Sequence, residues 1–120
     1  MLRETKRTKF VDKSPDESGL TIEVLSGPHT GEHWQVEKEE VSIGRGSEND
    51  IVLDADPAVS RTHLRLIHSD GSWTVKDCDS LNGTNMKIAS ECMRVIDSVG
   101  LYRYSKLQVG NTSMSLTWVD

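Results

Sequence analysis

The sequence predicts an all-β fold, a sandwich or a barrel, on three observations. Short runs alternate apolar and polar residues, turn chemistry separates most of those runs, and only one segment departs from this rhythm. Leu20-Thr21-Ile22-Glu23-Val24 reads as a strand with one buried face, and Ser26-Gly27-Pro28-His29-Thr30-Gly31 breaks it from Trp34-Gln35-Val36. Val41-Ser42-Ile43, Ile51-Val52-Leu53, Leu64-Arg65-Leu66-Ile67 and Trp73-Thr74-Val75 continue the series. Asp70-Gly71 between the last two of these is a strong two-residue hairpin signal. Leu107-Gln108-Val109 and Met114-Ser115-Leu116-Thr117-Trp118 close the chain, with Gly110-Asn111 as the turn between them. The exception is residues 87–104, where the apolar spacing around Ile88, Met93, Val95 and Ile96 suits a short helix or an irregular strand equally.

A chain of 120 residues is one domain's worth of core. Asp12 to Gly19 is polar and turn-forming, with only Phe10 and Val11 before it to bury, and residues 1–19 read as a flexible tail ahead of a domain at 20–120. No apolar run approaches the ~20 residues of a membrane span, and Met1 to Arg7 lacks the apolar segment of a secretory signal. The expectation is therefore an intracellular protein, in cytoplasm or nucleus, without a membrane partner. Cys78 and Cys92 have neither metal-ligand spacing nor the density of a disulfide scaffold, and read as reduced thiols. At the strand end, Cys78 is expected to be a buried small hydrophobe.

Net charge is −5, with the first 19 residues at +1 and the remainder at −6, which argues against nucleic acid as the partner. An anion would have to be held by a small local basic site. His29, His33, His63 and His68 could suggest metal or general-base chemistry, but His29 and His33 flank a turn signal rather than sharing a helix face. No nucleophile elbow, phosphate-cradling loop with Lys-Ser/Thr, or Cys-His pair at a known spacing is present. The expectation is a non-enzyme with no metal and no cofactor.

Three motifs remain. Ile43-Gly44-Arg45-Gly46-Ser47-Glu48-Asn49-Asp50-Ile51 puts an arginine on a loop after a strand, where its planar fork suits a phosphate. Ser60-Arg61-Thr62-His63 offers a hydroxyl and a guanidinium in adjacent loop positions. Ser80-Leu81-Asn82-Gly83-Thr84 holds an asparagine amide at a turn, able to pair with an extended backbone. Alone, each reads first as an ordinary surface arginine, a common loop pair or a plain β-turn. In this order and spacing they resemble the forkhead-associated (FHA) domain, a module that recognises phosphothreonine in partner proteins, and the resemblance runs from Leu20 to Val119.

The resemblance implies a two-sheet β-sandwich of about eleven strands with the binding loops at one end. It implies phosphopeptide contacts from Arg45, Ser60 and Arg61 to the phosphate and from Asn82 to the peptide backbone, with Leu81 contributing at most its own backbone. Gly44, His63, Gly83 and Thr84 become loop supports, His63 bracing from inside. The implied partner is a phosphothreonine-containing protein or peptide, bound by a monomer, with preference over phosphoserine from a recess for the γ-methyl. The alternative is a phosphate-independent scaffold within a larger signalling protein. Ala58 stands where some members carry an arginine that selects an acidic residue three places after the phosphothreonine. With Asp54 and Asp56 nearby, no such preference is expected. The usual Gly-Asp before the penultimate strand is replaced by Tyr104-Ser105, which leaves that turn open.

Overall fold

The computed structural model describes residues 8–10, 19–88 and 90–118, and among them the chain forms twelve strands and no helix. In order these are β1 (Thr8–Phe10), β2 (Leu20–Ser26), β3 (His33–Val36), β4 (Glu40–Gly44), β5 (Ile51–Val52) and β6 (Leu64–Ser69). There follow β7 (Ser72–Asp77), β8 (Thr84–Ile88), β9 (Glu91–Arg94), β10 (Ser98–Gly100), β11 (Tyr104–Val109) and β12 (Thr112–Trp118). They make a seven-stranded sheet, β1-β3-β2-β12-β11-β8-β9, and a five-stranded sheet, β10-β7-β6-β4-β5.

Alternation along the strands produces the core between the sheets, because successive side chains point to opposite faces. Leu20, Ile22 and Val24 of β2 and Met114, Leu116 and Trp118 of β12 are buried from one sheet. Val41 and Ile43 of β4, Leu64 and Leu66 of β6, and Trp73 and Val75 of β7 are buried from the other. Ser69 pairs with Ser72, so Asp70 and Gly71 form a two-residue turn, and their φ values of 55° and 79° are those such a turn requires. Val109 pairs with Thr112 across Gly110-Asn111, with the positive φ, 61°, on Gly110.

The undecided segment is strand. β8 and β9 form a hairpin, Asn85 opposite Arg94 to Ile88 opposite Glu91, and β10 pairs with β7 in the other sheet. Its pattern is illegible because all four residues of β9 are exposed at a sheet edge, so no face alternates. The turn left open by Tyr104-Ser105 is closed by a side chain: buried Ser105 donates its hydroxyl to the Tyr102 carbonyl and accepts from the Tyr102 N–H, both at 3.0 Å. Within the stretch read as a tail, Thr8–Phe10 lies parallel to β3 as an edge strand, and the rest of residues 1–18 falls outside the described residues. Cys78 is half-buried rather than buried, Cys92 is exposed, and both thiols are free. No helix among the described residues is long and apolar enough to cross a membrane.

Candidate functional site

Three loops gather at one end of the sandwich: residues 45–50 between β4 and β5, 53–63 between β5 and β6, and 78–83 between β7 and β8. Hydrogen bonds between them, more than sequence proximity, bring the motif residues together. Arg45 donates its backbone N–H to the Ser60 carbonyl and its Nε to the Val59 carbonyl, both at 2.9 Å. Its two terminal Nη groups make no other hydrogen bond among the described residues, so an exposed guanidinium is aimed but not consumed. Gly46 N–H reaches the Arg61 carbonyl at 3.1 Å. Gly44 belongs to the end of β4, and an added Cβ there would overlap the Arg61 carbonyl oxygen. Close approach of two backbones is thus the reason for a glycine at this loop support.

Ser60 accepts the Leu81 N–H at its Oγ, 2.9 Å away, and its hydroxyl hydrogen is left to point elsewhere. The same bond occupies the Leu81 backbone donor, and the Leu81 side chain stands 86% exposed beside the loops. Asn82 donates from Nδ2 to the Ala58 carbonyl at 3.0 Å, which fixes the amide while leaving its oxygen to accept. Arg61 is 66% exposed and pairs through Nη2 with Glu48 Oε1 at 3.0 Å.

His63, fully buried, ties its own loop to the end of β4 and to the 78–83 loop. Its backbone N–H reaches the Ile43 carbonyl and its carbonyl accepts from Cys78 N–H, each at 2.9 Å. Its ring Nδ1 accepts from Ser60 N–H at 3.0 Å, so the proton sits on Nε2, which donates to the Gly83 carbonyl at 3.0 Å. Burial pushes the imidazole below its ordinary value, against smaller upward pulls from the Gly83 carbonyl and the charges of Asp77 and Asp56. A group held neutral by the fold stabilises it fully at high pH. That contribution is lost as pH falls below the unfolded value near 6.5 and continues falling to the lower folded value. Unfolding in denaturant at pH 7.5 and 5.5 should show this loss in the wild type. In His63→Ala, which should be less stable at pH 7.5 by ~1 to 3 kcal/mol, that share of the pH dependence should vanish. Identical pH slopes for both proteins would remove His63 from the account.

Four residues to which the sequence assigned no supporting role, Asp77, Asn49, Asp56 and His29, complete the frame. Asp77 accepts from Ser80 Oγ and Thr84 Oγ1 at 2.7 Å and from Ser80 N–H at 3.1 Å, and Gly83 N–H closes the turn onto Ser80 Oγ at 2.9 Å. Burial raises the Asp77 carboxyl, but these donors outweigh it and hold it below the ordinary carboxylate range. Asn49, buried, donates to the Gly46 and Arg61 carbonyls at 2.7 and 2.6 Å. Asp56 is fully buried and ties this end to the β11–β12 turn: it accepts from Thr112 Oγ1 at 2.6 Å, Asn111 N–H at 2.8 Å, Ala58 N–H at 3.0 Å and Asn111 Nδ2 at 3.2 Å. Its charge is therefore committed internally, and of the two acidic neighbours invoked for a peptide preference only Asp54, 73% exposed, faces solvent. His29, buried, accepts from Ala55 N–H at Nε2, 3.0 Å away, and donates from Nδ1 to Glu32 at 3.1 Å, bracing the 53–63 loop from the β2–β3 turn. The available signal was weak: polar loop residues that could bond nearby backbone.

A two-sheet β-sandwich with these loops at one end is the architecture of forkhead-associated domains; this one has twelve strands among the described residues where about eleven were expected. It superposes on the FHA domain of the CT664 protein of Chlamydia trachomatis with a TM-score of 0.73, 24% identity, and coverage of 86% of this chain and 100% of that one. It superposes also on EmbR of Mycobacterium tuberculosis in complex with a low-affinity phosphopeptide, with a TM-score of 0.72, 22% identity, and coverage of 84% and 24%. The chain belongs to the family described as the inner membrane component of T3SS, cytoplasmic domain (Yop-YscD_cpl), whose model matches residues 23–120, and its fold is that of FHA domains.

Among relatives, the glycogen accumulation regulator GarA of Mycolicibacterium smegmatis is 33% identical over 83% of this chain and 59% of its own length. The oxoglutarate dehydrogenase inhibitor of Corynebacterium diphtheriae is 38% identical over 61% and 50%. The chain thus spans about half to three-fifths of the length of these relatives.

Proposed function

We propose that the loop end binds a phosphothreonine-containing segment of another protein, without catalysis, as a reversible signalling contact. The observation that carries this is Arg45: its Nε and backbone N–H are pinned to the carbonyls of residues 59 and 60, which leaves its Nη groups free at the loop that carries Ser60. Arg61 adds a second guanidinium from the 53–63 loop. A phosphate near two negative charges forms charge-assisted hydrogen bonds with such donors, each stronger than a neutral one. The Asn82 amide oxygen is left to accept from the peptide backbone. Gly44, His63, Gly83 and Thr84 hold the loops and do not contact the ligand. The regulatory and inhibitory names of the two relatives, and the phosphopeptide bound to EmbR, support a binding role over an enzymatic one. We place the domain inside the cell, where a reducing compartment keeps an exposed thiol such as Cys92 free.

The test is an oriented library of phosphothreonine peptides against its unphosphorylated counterpart, followed by calorimetry on matched phosphothreonine and phosphoserine peptides. Micromolar binding that disappears on dephosphorylation is expected. Burial of one γ-methyl, worth about 0.8 kcal/mol, should favour phosphothreonine roughly fourfold. Binding that survives dephosphorylation would replace this reading with a phosphate-independent scaffold.

A further inference from the structure

Arg61 is already engaged by an anion. Glu48 Oε1, on the loop that also carries Arg45, lies 3.0 Å from Arg61 Nη2. The position of that carboxylate is framed on the other side by Gly46: a Cβ built there would meet Glu48 Oε1 at 2.5 Å, Oε2 at 2.6 Å and Cδ at 2.7 Å, and nothing else ranks nearer. The absence of a side chain at Gly46 therefore leaves the space in which the Glu48 carboxylate folds back. Asn49 and Gly46 hold the Arg61 backbone to the same loop, so the two charges are kept at short range by the fold itself.

We infer that Glu48 is an internal competitor for the phosphate site, holding Arg61 in the empty domain until a phosphate displaces it. The inference rests on the phosphothreonine reading above. Both side chains are more than half exposed, at 66% and 53%, so the pair opens at small cost and tunes the site without blocking it. A tethered carboxylate competes at high effective concentration, and it weakens by one common factor every anion that uses Arg61. A phosphate, with three acceptor oxygens and a charge near −2, retains useful affinity after that loss. A partner's aspartate or glutamate, with one charge, falls out of the working range.

Two variants open the latch by different routes. Glu48→Gln removes the charge, whereas Gly46→Ala keeps it and pushes the carboxylate out of its place. Each should tighten a phosphothreonine peptide about two- to fivefold by calorimetry, the range an exposed ion pair spans. In an Arg61→Gln background, itself weaker, neither change should alter affinity. Thermal melts of every variant establish that the fold is retained, and if Gly46→Ala does not fold, the Glu48–Arg61 double-mutant cycle decides alone. Equal tightening by Glu48→Gln with and without Arg61 would show a general field effect and overturn the latch. Wild-type binding with no change in either variant would sink the latch and spare the phosphothreonine reading. A wild type that binds no phosphopeptide would sink both.

Discussion

Arg45→Ala should cost at least a hundredfold in affinity for a phosphothreonine peptide while the domain stays folded. In the proposed site the guanidinium has two free Nη groups for the phosphate, and hydrogen bonds to a charged group are worth ~1.5 to 3 kcal/mol each, so losing two corresponds to roughly a hundredfold or more. The structural loss is smaller: one side-chain bond from Nε to the Val59 carbonyl, about 1 kcal/mol, or a shift in Tm on the order of 5 °C. Calorimetry and a thermal melt measure the two separately. Arg45→Lys restores the charge without the fork or the Nε anchor, and should recover only part of the affinity. Unchanged affinity in Arg45→Ala would end the assignment of this site, and a variant that unfolds would make the arginine structural.

The second large effect is on stability and comes from Asp56→Ala. Truncation deprives four donors of their acceptor at a fully buried position, among them two backbone N–H groups and the Thr112 hydroxyl. Each unsatisfied buried polar group costs ~1 to 3 kcal/mol, so a loss of about 3 kcal/mol or more is expected, lowering Tm by on the order of 15 °C. Peptide affinity should fall as a consequence, because the 53–63 loop loses its tie to the β11–β12 turn. The pH dependence gives an independent check. Burial raises the Asp56 carboxyl, but its donors outweigh this and set it below the ordinary range, so its contribution is present above the unfolded value near 3.9 and lost as pH falls through the folded one. Asp56→Ala should therefore lose less stability in acid than the wild type. A variant melting within a few degrees of the wild type would mean that water reaches those donors.

The strands were legible wherever one face is buried and the other is not. β2, β4, β6, β7 and β12 alternate because they lie between core and solvent, and the turns at Asp70-Gly71 and Gly110-Asn111 carry their own chemistry. β9 and β10 were not legible, since edge strands of three or four mostly exposed residues leave no periodic trace. At the loop end, the residue types suited to a phosphate stood in recognisable motifs. The supports did not. Asp56 resembles any loop aspartate until partners 55 and 56 positions away are known, and Glu48 looks solvated until Arg61 is placed 3.0 Å from it. Roles that depend on non-local partners leave no signature in a single chain read on its own.

The pairing of β2 with β12 also gives the domain a mechanical direction. Leu20 pairs with Trp118 at the pole away from the candidate site, and the ladder runs from there to Ser26 and Ser113 near its loops. Tension applied between Leu20 and Trp118 would peel this ladder from one end, breaking its cross-strand hydrogen bonds one after another at low force. Tension between a ligand at the proposed site and Trp118 would act along β12 instead, which is flanked by β2 on one side and β11 on the other. Both ladders then resist in shear, with many bonds loaded together, so the same strand that yields to a pull at its own pole holds firm against a load carried through the ligand.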